Sequence, residues 1–350
     1  MRLWDQFKSS NFGIRLTHWE YWPFAVIYGP AFLYWLYLSL KARSLFFFSA
    51  ANPGIETGGL AGESKIRILN LLPKDLIPKT VFVPLGSSFA EIGEKVVKSG
   101  IEFPVIVKPN IGSRGFLVTK IANESELETF LQEQNVDFLI QEFVDLPEEI
   151  SILYYRFPNE SQGVISSVTI KKLLTVRGDG YSSILELIKS MDRAKLQLAS
   201  LQESHANLDY VPAEGETVEL VPFGNHCRGA AFYNGNHLID QKLVNIFNSI
   251  SHQLQGIYFG RYDIKCRDFA SLRNGNEFKI LEINGVGAEP AHIYDPDYSL
   301  FRAFKDIHQQ WNIIYRIGQF NRRNGTKTMT FKDGYRMLVH VFTYKKLAQG

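Results

Sequence analysis

The chain of 350 residues is long enough for two or three subdomains, and its 45% apolar composition supports a substantial core. A net charge of +2 argues against a protein that binds nucleic acid. The two cysteines have no C-x-x-C spacing, so neither a disulfide framework nor a zinc site is indicated, and Cys227 is expected to be a small buried residue.

The N-terminal segment is unusually apolar and aromatic. Residues 21–40 contain no charged side chain, and about twenty apolar residues suffice to cross a bilayer. Crowded tryptophans are typical of the membrane interface, and Pro23, Gly29 and Pro30 favour a re-entrant or half-embedded element over a straight span. Three interpretations stay open: a membrane element, an aromatic helix packed on the body or in a dimer, and a cleaved signal peptide.

The next segments predict a strand and then a loop. Residues 44–51 are predicted to form the strand, and the Asn-Pro-Gly and Gly-Gly sequences between residues 52 and 59 predict the loop. Further on, residues 103–108 form a short apolar strand that ends in Lys108, where Pro109 breaks the ladder. A buried lysine at a strand end normally needs an anionic partner.

A glycine turn follows that lysine. Residues 110–115 predict a tight turn whose backbone amides could close over phosphates, before a strand from Phe116 to Ile121. Helical spacing predicts a helix over 124–134, capped by Asn123 with Glu126 three residues on. Residues 138–144 then predict a strand, and an acidic pair follows it.

The most informative pattern lies near the C-terminal end of the chain. Glu282 and Asn284 are two apart in an apolar run, so on a strand their side chains leave the same face. A second strand that carries Asp263 would complete a cluster of oxygen ligands. Mg²⁺ prefers hard oxygen ligands. A small number of protein carboxylates is enough to bind it when nucleotide phosphates fill its other coordination positions.

Taken in order, these motifs resemble the ATP-grasp superfamily, among its carboxylate-amine ligases, over about residues 60–320. The motifs are Lys-Pro, the glycine turn, strand, helix, Gln-Glu-Phe-Val, the acidic pair, and Asp with Glu-x-Asn. The Gly-Asp-Gly segment at 176–188 and the segment 211–229 resemble cyanophycin synthetase and the fused glutathione synthetases; D-alanine–D-alanine ligase has a similar domain. The resemblance implies an α+β ATP-grasp fold, in which two α+β subdomains clasp ATP, with a curtailed N-terminal domain.

The resemblance also implies roles for particular residues. Lys65 reaches the α-phosphate and Lys108 is the second phosphate lysine. The phosphate turn contains Gly112, Ser113 and Gly115. The adenine hinge contains Gln141, Glu142 and Val144. The ribose hydroxyls are bound by Glu148 or Glu149. The metal ligands are Asp263, Glu282 and Asn284.

Further roles concern the transferred group. Arg261, two residues before the first metal ligand, would stabilise the phosphoryl group and the tetrahedral adduct. Arg228 would contact a phosphate or a carboxylate, and the loop with Gly287 would present amide donors to the adduct. His292 is either a base for the incoming amine or a structural residue.

The implied activity is ADP-forming ligation of a carboxylate to an amine through an acylphosphate. The implied cofactors are ATP and Mg²⁺, two ions, with Mn²⁺ able to substitute. The shortened first domain and the aromatic N-terminus lead to the hypothesis of a membrane-associated or long-chain substrate and a location at the cytoplasmic face of a membrane. The alternatives are a soluble amino-acid or dipeptide ligase with an aromatic homodimer interface, and a non-catalytic ATP-binding protein.

The expected organisation has five parts. They are an aromatic N-terminal segment (1–48), a curtailed region before the ATP-grasp domain (49–103), the small ATP-grasp subdomain (104–147), the metal and catalytic subdomain (148–325) and a C-terminal tail (326–350).

Overall fold

A computed structural model of the chain describes residues 4, 7–8, 10–112, 115–204 and 207–348. The α-helices of these residues are, in chain order, α1 (Asn11–Thr17), α2 (Phe24–Ala42), α3 (Lys65–Leu69), α4 (Phe89–Ser99), α5 (Glu124–Gln132), α6 (Ile184–Ser190), α7 (Asp192–Lys195), α8 (Leu198–Ser204), α9 (Gln241–Gln253), α10 (Phe269–Arg273), α11 (Leu300–Arg323) and α12 (Phe331–Ala348). The β-strands are β1 (Thr80–Val83), β2 (Val105–Pro109), β3 (Thr119–Ile121), β4 (Phe138–Glu142), β5 (Glu148–Tyr155), β6 (Val164–Lys172), β7 (Thr175–Arg177), β8 (Thr217–Glu219), β9 (Ala231–Asn234), β10 (Phe259–Cys266) and β11 (Phe278–Asn284).

Two antiparallel sheets position the site. The first has four strands in the order β1-β4-β2-β3, and its core is closed by α4 and α5. The second has five strands in the order β11-β10-β5-β6-β9 and packs on α9. A small ladder of β7 and β8 lies beside α6. These α+β units on either side of a cleft form the ATP-grasp fold that the sequence predicts.

The helix starts follow from local hydrogen bonding. Asn123 accepts the backbone N–H of Glu126 at 3.0 Å, so the predicted cap of α5 is confirmed. In the Gly-Asp-Gly segment, the Asp179 carboxylate accepts the backbone N–H groups of Tyr181 and Ser182. That turn leads into α6, which a capping box between Ser183 and Glu186 opens.

The strand predicted for residues 44–51 is wrong. Phe47–Ala50 form a 3-10 helix instead, and the rings of Phe47 and Phe48 both pack edge-on against Trp311 of α11. A strand would send two consecutive side chains to opposite faces, whereas both phenylalanines here are buried in one core. The strand predicted from Phe116 is also shorter than expected, since β3 begins at Thr119.

The aromatic N-terminal segment forms α2. Pro23 lies at its N-cap and Pro30 is inside it. One face of α2, with Ile27, Ala31 and Leu38, packs against α11. Its outer face is exposed and apolar, and Leu40 is 79% exposed. By length and composition alone, α2 could cross a membrane, and most of it is not buried within the protein.

Two segments lie differently from the expected organisation. β1 and α4, upstream of the expected boundary at residue 104, share one core with β2 and β4, so the small sheet draws on residues from Thr80 onward. The region expected to be a tail, 326–350, contains α12. Both segments belong to the folded body because they contribute buried side chains to it.

Candidate active site

The predicted metal ligands lie on neighbouring strands. β10 and β11 pair so that Asp263 stands opposite Glu282 and Arg261 stands opposite Asn284. Residues directly opposite each other in an antiparallel pair project to the same face, so all four side chains point to one side of the sheet. The side-chain amide nitrogen of Asn284 donates to Asp263 Oδ2 at 3.1 Å. The amide oxygen of Asn284 is therefore left to act as an acceptor.

Two cations surround the Asp263 carboxylate. Arg261 Nε and Nη2 donate to its two oxygens at 3.2 and 3.1 Å, and Lys171 Nζ lies 3.2 Å from Oδ1. Ser151 Oγ donates to the same oxygen. Burial alone would raise the pKa of Asp263, but Arg261 and Lys171 outweigh it and hold the pKa well below its ordinary range. Asp263 is therefore ionised, the state that a metal ligand requires.

The oxygen atoms of the predicted metal ligands suit a cation that is also coordinated by phosphate oxygens. Among the residues that the structure describes, no three His, Cys, Asp or Glu side chains are placed to hold a metal by themselves. The set of Asp263, Glu282 and Asn284 supplies two carboxylates and an amide oxygen, which leaves coordination positions for phosphate oxygens.

Lys108 joins the two sheets across the cleft. Its ammonium donates to Gln141 Oε1 at 2.9 Å in the small sheet and to the Leu281 carbonyl at 3.3 Å in the large one. Gln141 is oriented for this contact because its amide nitrogen donates to Thr80 Oγ1. Lys108 is 5% exposed, and burial lowers its pKa to about 8. Both hydrogen-bond partners are neutral, so a bound anion would stabilise the charged form.

Lys65 lies against the predicted phosphate turn. Its ammonium donates to the Gly112 carbonyl, and its backbone N–H donates to the Asn110 carbonyl at 3.0 Å. Gly115, at φ +67°, lines the cleft, and a Cβ there would fall 2.2 Å from Nδ2 of Asn225. Ser113, also predicted for this turn, lies outside the described residues.

The predicted hinge and acidic pair are also placed at the cleft. Gln141, Glu142 and Val144 line it. Glu149 lines it as well, and its carboxylate accepts from Lys171 and from the backbone of Gly224, both at 3.1 Å. Glu148 instead pairs with Lys172 at 2.9 Å on the surface.

Two cleft residues were missed by the sequence analysis. Lys171, buried on β6, bridges Glu149 and Asp263. Ser167, Thr169 and Lys171 are polar residues at every second position, which indicates a polar strand face and could have identified this lysine. Glu63 lines the cleft and is half-buried; burial raises the pKa of its carboxyl, and its Oε2 has no hydrogen-bond partner within the described part of the chain. Its position two residues before Lys65 could have drawn attention to it.

The expectation for Gly287 is not met in this geometry. Its backbone N–H donates to the Gly59 carbonyl at 2.9 Å, and that of Val286 donates to Gly58 at 3.1 Å. The two glycine loops cross so closely that a Cβ on Gly59 would lie 2.6 Å from the Gly285 Cα. The amide of Gly287 therefore holds two loops together and is not directed to a tetrahedral adduct.

The structure also places three other residues that the sequence analysis considered. Arg228 is exposed, and its guanidinium lies 5.4 Å from the centre of the Phe223 ring. Cys227 is exposed and not buried as expected. His292 is buried, with Nδ1 2.8 Å from Ser167 Oγ and Nε2 3.2 Å from Asp306, which favours the structural interpretation of this histidine.

The cleft has a volume of about 710 Å³, and its lining includes apolar residues as well as the charged groups. The apolar part of the lining consists largely of residues that pack together in one cluster, Trp22, Ile27, Tyr28, Tyr294 and Trp311. The segment before α2 is anchored because the buried Glu20 pairs with Arg193 and His226. The N-terminal segment thus contributes part of the cleft lining.

A match to a protein-family model accompanies the ATP-grasp fold. Residues 62–160 match the family model of the RimK-like ATP-grasp domain, so the chain contains a domain of this superfamily and the resemblance seen in the sequence is confirmed. No curated protein matches the chain.

Similar solved structures include three amino-acid and peptide ligases. They are the VanG D-Ala:D-Ser ligase of Enterococcus faecalis (13% identity, 73% of this chain and 61% of that one, TM-score 0.40), the D-alanine–D-alanine ligase of Bacillus anthracis (14%, 75% and 69%, 0.39) and a bifunctional glutathione synthetase of Pasteurella multocida (15%, 69% and 35%, 0.35). The chain spans less than two thirds of the length of the first and third of these proteins.

Proposed function

We propose that the protein is an ADP-forming ligase that joins a carboxylate to an amine through an acylphosphate, and that its substrate is membrane-associated or long-chain. The observation that carries the proposal is the meeting of Lys108 with the oxygen cluster. Lys108 Nζ lies 3.3 Å from the carbonyl of Leu281, the residue next to Glu282. A buried ammonium with neutral partners beside acidic oxygens suits a metal-bound triphosphate.

ATP would lie along the cleft between the sheets. Lys65, Lys108 and the glycine turn would bind its phosphates, and the hinge at 141–144 would bind adenine. Of the acidic pair, Glu149 is the better candidate for the ribose hydroxyls because it lines the cleft. Its oxygens already accept two hydrogen bonds, but a carboxylate has about four lone-pair sites.

Mg²⁺, for which Mn²⁺ could substitute, would be held by Asp263, Glu282 and Asn284, with two ions as in the ligases that the sequence resembles. When bound, such ions neutralise charge on the phosphate oxygens. Arg261 and Lys171 already hold Asp263 in its ionised form. The same two cations would stabilise the transferred phosphoryl group and the tetrahedral adduct.

The proposed reaction has two steps. An oxygen of the substrate carboxylate attacks the γ-phosphorus, and the bond from that phosphorus to the β–γ bridging oxygen breaks, which releases ADP. The amine nitrogen then attacks the acyl carbon, the carbon–oxygen bond to phosphate breaks, and phosphate leaves with the electron pair while the nitrogen loses a proton. The chain's role is to align the reactants and to compensate the developing charge, so no side-chain nucleophile is required.

The apolar part of the cleft lining supports an apolar substrate portion. Trp22, Ile27 and Trp311 belong to this lining and would leave a small polar amino acid poorly solvated. Burial of an alkyl or aryl group there would be favourable by about 25 cal/mol for each Å² removed from water.

The exposed helix faces support a location at the cytoplasmic face of a membrane. The outer face of α2 has no charged residue between Phe24 and Leu40, and Lys41 and Arg43 follow directly. α12 has an exposed apolar stripe as well, with the exposed basic residues Lys332 and Arg336 beside it; the stripe consists of Phe331, Tyr335, Leu338 and Phe342. A surface helix of a soluble protein normally has a polar outer face, whereas apolar faces with basic neighbours are typical of interfacial helices.

The test is ADP release with a carboxylate and an amine supplied separately and together, using amino acids and a lipid extract. We expect release only when both substrates are present and one of them is amphiphilic. Release with small polar amino acids alone would favour the soluble ligase with an aromatic dimer interface. ATP binding without release under any condition would favour a non-catalytic ATP-binding protein.

A further inference from the structure

The C-terminal helix α12 packs across the nucleotide cleft along one face. Gly334 lies against the ring of Phe46, since a Cβ there would fall 2.0 Å from Cζ of that ring. Val341 lies beside Gly62, with Cγ2 3.1 Å from the position of a Cβ on that glycine. Gly334, Val341 and Tyr344 are spaced by seven and three residues, so they occupy one side of the helix. That side runs from the end of α2 to the predicted phosphate turn.

Tyr344 fixes the C-terminal end of α12 to this turn. Its hydroxyl donates to the Asp137 carbonyl at 2.9 Å and lies 3.4 Å from the backbone N–H of Ile111, which donates to it. The Asn110 N–H donates to the same Asp137 carbonyl at 3.1 Å. Burial raises the pKa of Tyr344 to about 12, so the hydroxyl stays protonated and keeps donating at neutral pH. The helix is thereby tied to the strand ends that frame the turn.

The next residue, Lys345, lines the cleft together with Lys108 and Gly115. We propose that Lys345 is an additional ligand of the nucleotide phosphates and that Tyr344 is the residue that positions it. The proposal rests on the proposed ATP site. It assigns a binding role to a helix that lies far outside the matched ATP-grasp segment, which ends at residue 160.

The chemistry of the position supports a phosphate ligand. An ammonium on a four-carbon stem is a compact point charge that reaches an anion from a helix backbone several ångströms away. In the described structure, the other cations that line the cleft are Lys108, Lys171, Lys265 and Arg261, and Arg261 and Lys171 are both paired with Asp263. A lysine from α12 would compensate charge on the triphosphate that these paired groups leave uncompensated.

The experiment measures ATP and adenosine binding to the full chain by calorimetry in the presence of Mg²⁺. Lys345→Met should raise the Kd for ATP about tenfold and leave the Kd for adenosine unchanged, because a charge-assisted contact to phosphate is lost. Lys345→Arg should bind ATP within about threefold of the wild type. The matched control is Lys346→Met, which removes the same charge from the next exposed position and should change the Kd less than twofold.

Tyr344→Phe tests the positioning role, since it keeps the ring and removes the hydroxyl. It should weaken ATP binding about threefold alone and add nothing in a Lys345→Met background, because a residue that acts only through Lys345 has no effect without it. Equal ATP affinities of Lys345→Met and Lys346→Met, or an additive loss in the double variant, would overturn the proposal. In either case tight binding by the wild type would leave the ATP site intact, whereas a wild type that binds no ATP would overturn the proposed function as well.

Discussion

Replacing Lys108 with Met should separate nucleotide binding from folding. The fall in the pKa of Lys108 from its ordinary 10.5 to about 8 corresponds to about 3 kcal/mol that burial of the charged lysine costs the unliganded fold. Met removes this cost but leaves Gln141 Oε1 and the Leu281 carbonyl without their donor, at about 1–3 kcal/mol each. These effects oppose each other, so the free energy of unfolding should change by no more than about 3 kcal/mol.

ATP affinity should respond quite differently to the same substitution. Loss of a buried charge-assisted contact to phosphate is worth about 2.7 kcal/mol or more, which raises the Kd for ATP about a hundredfold. Calorimetry would measure the Kd, and urea unfolding would measure stability. Lys79→Met is the matched control, because Lys79 is an exposed lysine of the same subdomain that bonds the Gly100 carbonyl.

The pH dependence of Lys108 gives a second measurement with a defined sign. Between pH 8 and 10.5 the folded protein binds fewer protons than the unfolded chain at this position, so the free energy of unfolding of the unliganded wild type should rise with pH in that window. Below pH 8 both states are protonated and this contribution is constant. Affinity for ATP should fall as the pH rises through 8, because the ammonium is lost, and neither effect should occur in Lys108→Met.

The reasoning would be refuted by an unchanged Kd for ATP in Lys108→Met at pH 7. It would also be refuted if that variant and the wild type lost ATP affinity in parallel above pH 8. Either result would mean that Lys108 is a structural bridge between the sheets and does not contact the nucleotide.

Other substitutions test the remaining assignments. Glu282→Gln should abolish ATP turnover in Mg²⁺ and keep the melting temperature, since one carboxylate ligand is lost at constant volume; wild-type turnover would reject the metal site. The chain should sediment with vesicles and resist high-salt extraction. Leu33→Glu should release it, while Val97→Glu, at an even more exposed apolar position of α4, should not; vesicle-free wild-type dimers would contradict this. Ile27→Trp should reduce kcat/KM for an amphiphilic substrate several-fold more than for a short analogue, and an equal effect on both would place the apolar group elsewhere.

The sequence was most informative where a local rule fixes the geometry. Alternation along a strand placed Glu282 and Asn284 on one face, and the structure pairs them with Asp263 and Arg261. Cap chemistry located the start of α5 at Asn123. These features depend on neighbours within a few residues, so a single sequence contains the information.

Other parts of the site depend on contacts between distant segments. Lys171 reaches Asp263 only because β5 lies between β6 and β10 in the sheet, and no spacing along the chain encodes that order. The sequence around Gly287 suggests an amide that could donate to a tetrahedral adduct. In the structure this amide donates instead to the carbonyl of Gly59, which is distant in sequence. The local pattern also gave the wrong secondary structure for Phe47 and Phe48. It predicted a strand, whereas their packing against Trp311 favours the observed 3-10 helix.

From the sequence alone, the order of the motifs indicated the ATP-grasp fold through their resemblance to that superfamily, and the composition gave the apolar character of the N-terminus, because both can be read directly along the chain. Only the tertiary structure decided that one face of α2 packs on α11 while the other stays exposed, and that α12 lies across the cleft. Helix packing depends on complementary surfaces from remote segments. The hydropathy of α2 alone is the same for a helix that spans a membrane and for one that packs on a protein.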